Sequence, residues 1–169
     1  MFKFKRVAAS AVAVGLISAL GATSVDAATT TGSLVVSATV LKACLIGGGT
    51  LAFGSYDPSS STAATATTTV VLTCTPGTSY DIGMSAGGGT GATVALRYLT
   101  LGANKLGYKL FQDAGYLTNW GNTVGTDTLH ATTSATLVTN TINIYGEIPV
   151  NEAAPVGVYA DTVTMTVTY

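Results

Sequence analysis

Apolar and polar residues alternate at period two along most of this 169-residue chain, the spacing that places successive side chains on opposite faces of a β-strand. The pattern begins unusually early. In residues 32–42, GSLVVSATVLK, the positions Leu34, Val36, Ala38 and Val40 share one face, and Ser33, Val35, Ser37, Thr39 and Leu41 share the other. The first face is uniformly apolar and small, and such a face needs a groove to bury it. Period two alone leaves open whether that groove belongs to this domain's own sheet or to a neighbour.

Further along, Gly47-Gly48-Gly49 breaks any regular element, and residues 51–56 resume a short extended segment that stops at Asp57-Pro58. A polar loop over 59–65 leads into a β-branched strand at 67–73. Pro76-Gly77 turns the chain into a second strand at 80–84, and the two are expected to form a hairpin. Residues 86–91 are too glycine-rich for a helix or strand. An extended stretch at 94–101, a turn at Gly102-Ala103-Asn104 and a strand at 106–111 follow, ending at Gln112-Asp113. Residues 115–125 read as loop carrying Trp120, expected to pack over an end of the fold and not to stand out as a sugar platform. The longest candidate strand is 135–148, closed by Pro149. After Pro155-Val156-Gly157, residues 159–169 alternate Tyr159, Asp161, Val163, Met165, Val167 and Tyr169 against Ala160, Thr162, Thr164, Thr166 and Thr168. No segment keeps a 3.6-residue period over 11 residues, so an all-β antiparallel sandwich is expected. Its last strand would run to the final residue with nothing to cover its outer edge.

The N-terminus adds a processing signal. Lys3, Lys5 and Arg6 precede an uncharged run over 7–20 and then Val25-Asp26-Ala27, the plan of a secretory signal peptide over 1–27; an apolar run this short does not span a bilayer. The remainder divides into an N-terminal strand, 28–43, and a single domain, 44–169, of a size one core can support. Cleavage would remove Lys3, Lys5, Arg6 and Asp26 from seven basic and eight acidic residues, leaving Lys42, Arg97, Lys105 and Lys109 dispersed against seven acids. No basic patch remains for nucleic acid or an anionic membrane. In an exported chain the cysteine pair Cys44 and Cys74 reads as a disulfide, and closing that loop stabilises the fold by roughly 3–5 kcal/mol in the chain-entropy model.

Candidate chemistry changes little. Gly83-Met84-Ser85-Ala86-Gly87 matches a nucleophile elbow with His130 as base and Asp113 or Asp127 as acid, but the following Gly88-Gly89-Thr90-Gly91 cannot start the helix that an elbow requires. Residues 87–92 fit a loose dinucleotide pattern with Asp113 about 20 positions on, again without a helix to meet a pyrophosphate. One histidine, two committed cysteines and the scattered acids Asp57, Asp81, Asp113, Asp127, Glu147, Glu152 and Asp161 form no ligand cluster. Neither an enzyme nor a cofactor or metal protein is expected.

The motifs Phe53-Gly54-Ser55-Tyr56, Leu106-Gly107-Tyr108-Lys109-Leu110-Phe111-Gln112-Asp113, Trp120-Gly121, Tyr145-Gly146-Glu147-Ile148-Pro149 and Pro155-Val156-Gly157-Val158-Tyr159-Ala160-Asp161-Thr162-Val163, together with the cysteine pair, resemble the spore coat protein U domain family, including the Csu-type major subunits of archaic chaperone-usher pili. That resemblance implies an incomplete immunoglobulin-like sandwich, held soluble by a periplasmic chaperone, passed to an outer-membrane usher and completed in a surface fibre by the N-terminal strand of the next, identical or related, subunit. By position, Leu34, Val36, Ala38 and Val40 would be the donor plugs. The strand of Tyr159, Asp161, Val163, Met165, Val167 and Tyr169 would flank the acceptor groove. Adhesion and biofilm support are the implied roles. The competing expectation is a self-contained secreted sandwich, a coat component or carbohydrate-binding module, in which the N-terminal run folds onto its own domain.

Overall fold

The computed structural model describes residues 26–134, 136 and 139–169, so the leader, apart from Asp26 and Ala27, lies outside the described residues. Among these residues there is no helix. Eight strands follow in order: β1 (Cys44–Ile46), β2 (Ala64–Cys74), β3 (Ser79–Met84), β4 (Arg97–Leu101), β5 (Asn104–Phe111), β6 (Leu129–Thr132), β7 (Thr139–Ile148) and β8 (Met165–Thr168). They build a five-stranded sheet in the order β1-β2-β7-β5-β4 and a three-stranded sheet in the order β6-β3-β8. Every ladder is antiparallel.

Alternation sets the core. Val70 and Leu72 of β2, Ile142, Ile144 and Ile148 of β7, and Leu106, Tyr108 and Leu110 of β5 point inward from the larger sheet, meeting Tyr80, Ile82 and Met84 of β3. β2 and β7 share ten consecutive register pairs, from Ala64↔Ile148 to Thr73↔Thr139, and form the spine of the domain. The β4–β5 hairpin closes through Gly102-Ala103, with Gly102 at φ 59°, the left-handed position a tight two-residue turn requires and glycine tolerates best. Cys44 and Cys74 are register partners on β1 and β2 and are joined by a disulfide.

The hairpin expected between the strands on either side of Pro76-Gly77 does not form. β2 already has β1 on one side and β7 on the other, so β3 has no free edge there to pair with. The turn instead carries the chain into the second sheet, where β3 pairs with β6 and β8. The crossing is sealed by a buried threonine pair: Thr133 Oγ1 donates to Thr75 O at 3.0 Å and accepts from Thr78 N at 2.9 Å. The C-terminal run also differs from a single strand. Its regular part is β8 alone, because Ala160 bridges Thr100 at the edge of the larger sheet, whereas residues 165–168 pair with β3 in the smaller one. The parity nevertheless persists: Tyr159, Asp161, Val163, Met165 and Val167 are half-buried, their even-numbered neighbours are exposed, and Tyr169 at the end is exposed.

Residues 26–43 hold no strand, and Leu34, Val36 and Val40 are 87%, 82% and 80% exposed. Trp120 lies in a loop as expected but is fully buried, its indole N–H donating to Ile82 O at 2.8 Å, which leaves no platform for a sugar.

Candidate acceptor cleft

On leaving β1 the chain lies over the larger sheet without joining it. Gly47 N donates to Val71 O at 2.8 Å, and Leu51 and Phe53 then close over Gly146 of β7 so tightly that a Cβ there would meet Leu51 Cδ2 at 2.5 Å. Across from this segment runs the irregular stretch 154–164. Between the two the interior is unroofed. A cleft opens in two compartments that share Leu51, Phe53 and Leu99 as walls. The smaller, about 320 Å³, is floored by Val70, Met84, Leu110 and Ile144 and edged by Val163 and Met165. The larger, about 590 Å³, is floored by Leu106 and Ile148 and edged by residues 154–159. An apolar floor of this kind is interior surface left unroofed, the condition sandwiches otherwise avoid by covering or pairing their edges.

Tyr108 lines the smaller compartment next to Phe53, a wall the two compartments share. Its ring packs edge-on against Phe53, with centroids 6.0 Å apart, and its hydroxyl donates to Asp161 Oδ2 at 2.7 Å. Burial, reinforced by that carboxylate, pushes the Tyr108 phenol well above the usual tyrosine range, so it stays a donor. Asp161 Oδ1 accepts from Gly88 N at 2.7 Å and from Thr162 N at 2.8 Å. Gly87, at φ 83°, passes so close that a Cβ would fall 2.0 Å from Asp161 Oδ2. One acidic side chain therefore anchors the C-terminal edge of the cleft to both β5 and the glycine loop.

Beneath this edge lies Arg97, fully buried at the start of β4. Nε donates to Ser85 O at 2.8 Å, Nη1 to Val94 O at 2.8 Å, and Nη2 to Met84 O at 3.0 Å and Trp120 O at 2.7 Å. Desolvation lowers its pKa, with Tyr108 and Asp161 opposing. The fork joins the end of β3, at Met84 and Ser85, to two loop segments, at Val94 and Trp120, a task for which planar guanidinium geometry is suited.

The proposed elbow is not assembled. Ser85 Oγ accepts from Thr164 N at 2.9 Å, while His130 sits on β6, mostly exposed, with Nδ1 3.1 Å from Asp81 Oδ2. Thr128 and His130 hydrogen bonds hold the Asp81 carboxyl below its ordinary value. Asp113 and Asp127 are also committed locally, Asp113 to the amides of Gly115, Leu117 and Thr118 and Asp127 to that of Thr123. Among the described residues no group of three metal-ligating side chains comes together. Of the residues singled out from sequence, Asp161, Val163 and Met165 line the cleft together with Tyr159, Val167 lies beyond on β8, and Tyr169 is exposed at the chain end. Sequence reasoning missed Arg97 and the opposite wall, Leu51 and Phe53. The latter did carry a signal, alternating with Ala52 and Gly54.

Two antiparallel sheets around an unroofed apolar cleft define a pilin-like β-sandwich. The chain belongs to the Spore Coat Protein U domain family, whose sequence profile matches residues 30–166. It is 34% identical to "Protein U" of Myxococcus xanthus, across 85% of this chain and 87% of that protein. Its fold is shared, at a TM-score of 0.51 and 22% identity over 78% of this chain, with a chain in the crystal structure of the CsuC–CsuE chaperone–tip adhesion subunit pre-assembly complex from the archaic chaperone-usher Csu pili of Acinetobacter baumannii. This chain spans 41% of the length of that one.

Proposed function

We propose that this protein is an exported structural subunit that polymerises by donor-strand complementation into a surface fibre supporting adhesion and biofilm formation, residues 28–43 of one copy completing domain 44–169 of the next. The observation that carries the reading is the cleft: interior side chains of β2, β5 and β7 lie open between two segments that no strand joins. In the same chain, Leu34, Val36, Ala38 and Val40 form an apolar alternating run that is exposed. Inserting the three larger side chains would contribute roughly 1.5–3 kcal/mol each, and each ladder hydrogen bond about 0.5–1.5 kcal/mol net, ample for a lasting non-covalent joint. Such contacts are head-to-tail and propagate without closing, which gives a fibre. Before insertion the same open floor requires a cover, the role assigned to a periplasmic chaperone, with an outer-membrane usher as the site of exchange. Membership of a coat-protein family and the kinship in fold with a pilus subunit complex support the reading.

Replacing Val36 by Asp tests it. An unpaired carboxylate in a dry cleft costs several kcal/mol, so the ladder of detergent-resistant multimers expected on gels of unheated wild-type material disappears. A ladder unchanged by Val36→Asp contradicts the proposal, as does wild-type protein that stays monomeric without any chaperone.

A further inference from the structure

We propose that Met165 is a site of oxidation by hydroperoxides, and that its sulfoxide closes the cleft of an unassembled chain to a donor strand. This rests on the donor reading above. The placement of sulfur carries it. The sequence holds three methionines; Met1 lies outside the described residues, and the other two, Met84 and Met165, both line the smaller compartment. They are register partners on β3 and β8, so their side chains stand side by side on the inner face of the smaller sheet. Met84 is 1% exposed and belongs to the floor, whereas Met165 is half-buried at the rim. The remaining sulfur is held in the Cys44–Cys74 bridge, and among the described residues no free thiol competes for an oxidant.

The chemistry needs only the peroxide. The thioether sulfur attacks the terminal oxygen, an S–O bond forms as the O–O bond breaks, and sulfur gives up two electrons. The departing oxygen takes the proton of the transferred hydroxyl and leaves as water, or as an alcohol from an organic hydroperoxide. Susceptibility follows exposure, which selects Met165 over Met84, and a thiol-dependent sulfoxide reductase restores the thioether.

The change acts on receiving and spares giving. An unbranched thioether adapts to whatever side chain is laid against it. Its sulfoxide carries an oxygen that needs a donor, and in the open cleft water supplies one. The run of Leu34, Val36, Ala38 and Val40 brings only aliphatic groups to displace that water, and the Tyr108 hydroxyl is already given to Asp161. The oxygen is then buried without a partner, which opposes insertion. Residues 34–40 carry no sulfur and are exposed, so the same chain keeps a working donor run. An inserted strand in turn covers the rim, so an assembled subunit resists the oxidant that disables a free one.

The test treats full-length chains, bridge intact, with hydrogen peroxide, both as refolded monomer and as assembled multimer, and maps oxygen uptake by mass spectrometry of peptides. In the monomer Met165 should react before Met84, and in the multimer roughly tenfold more slowly than in the monomer. Treated monomer should form roughly tenfold to hundredfold less multimer. Met165→Leu, close in volume, should assemble normally with or without peroxide, Met84→Leu should stay sensitive, and Met165→Gln should assemble poorly without any oxidant. Mixing separates a blocked cleft from a damaged fold: oxidised wild type should still give its strand to untreated Val36→Asp chains, whereas Val36→Asp chains oxidised beforehand should no longer cap a wild-type ladder. Equal oxidation of Met165 in monomer and multimer overturns the proposal. So does oxidised monomer that assembles like untreated monomer, Met165→Leu that loses assembly under peroxide as wild type does, or oxidised wild type that can neither give nor receive. If untreated wild type forms no ladder, the donor reading itself fails.

Discussion

Arg97 shows how much one side chain can carry in a thin sandwich. Four backbone carbonyls, from Met84 and Ser85 at the end of β3 and from Val94 and Trp120 in loops, converge on it, and removing the fork leaves them buried without partners. Arg97→Ala should therefore lower stability by about 3–5 kcal/mol, read as a fall in the urea midpoint of the folded monomer. Arg97→Lys keeps the charge but loses the planar fork and should recover less than half of that loss. Carboxylates act at the same scale. Asp113 accepts three amides of its own loop, chiefly that of Thr118, which holds its pKa below the ordinary 3.8. The unfolded chain therefore binds its proton first, so the contribution is complete above the ordinary value and is lost as pH falls through the depressed one. Denaturation midpoints at pH 7 and pH 3 should differ less for Asp113→Asn than for the wild type. The inward parity of the 159–169 run was legible because strand alternation is a local property. Arg97 was not, since its partners lie in segments far apart along the chain, and composition does not say which cation goes inside.

At the level of elements, short strands proved hardest to read. β6 is four residues, Leu-His-Ala-Thr, and β1 is three; neither is long enough to show a period. The turn at Pro76-Gly77 is locally a good hairpin turn, but pairing is decided by which edges stay free, and both edges of β2 are occupied. β1 is held by few hydrogen bonds and one covalent bridge, so the bridge matters more than its position near the end of a strand suggests. Replacing Cys44 and Cys74 by Ser should destabilise the monomer by roughly 3–5 kcal/mol and reduce export yield. Native secreted protein should not react with a maleimide until reductant is added; labelling of both cysteines without reductant would mean there is no bridge to lose.

For the whole molecule, the cleft and the exposed run divide the chain into a part that receives and a part that gives. A chain lacking residues 28–42 should accept a donor yet offer none, and when co-expressed in small amount should shorten the ladder by capping growing ends. A self-contained sandwich would behave differently, showing a lower melting temperature and no effect on assembly. The sandwich class was readable from the period alone. The two-compartment cleft was not, because its walls come from residues 49–56 and 154–165, neither of which forms a regular strand along its length.

The bridge between Cys44 and Cys74 has a mechanical consequence. In a fibre joined as proposed, Val40 is held in one subunit and Cys44 in the next, with only Leu41, Lys42 and Ala43 between them. Tension along the fibre would leave that short span at Cys44 and pass through the sulfur–sulfur bond into β2, the strand with the longest ladder in the domain. The load path is thus covalent up to the spine and pulls along the strands, so their hydrogen bonds must shear together and cannot unzip singly. Reduction would move the weak point to β1, and single fibres should then yield at lower force, one domain at a time.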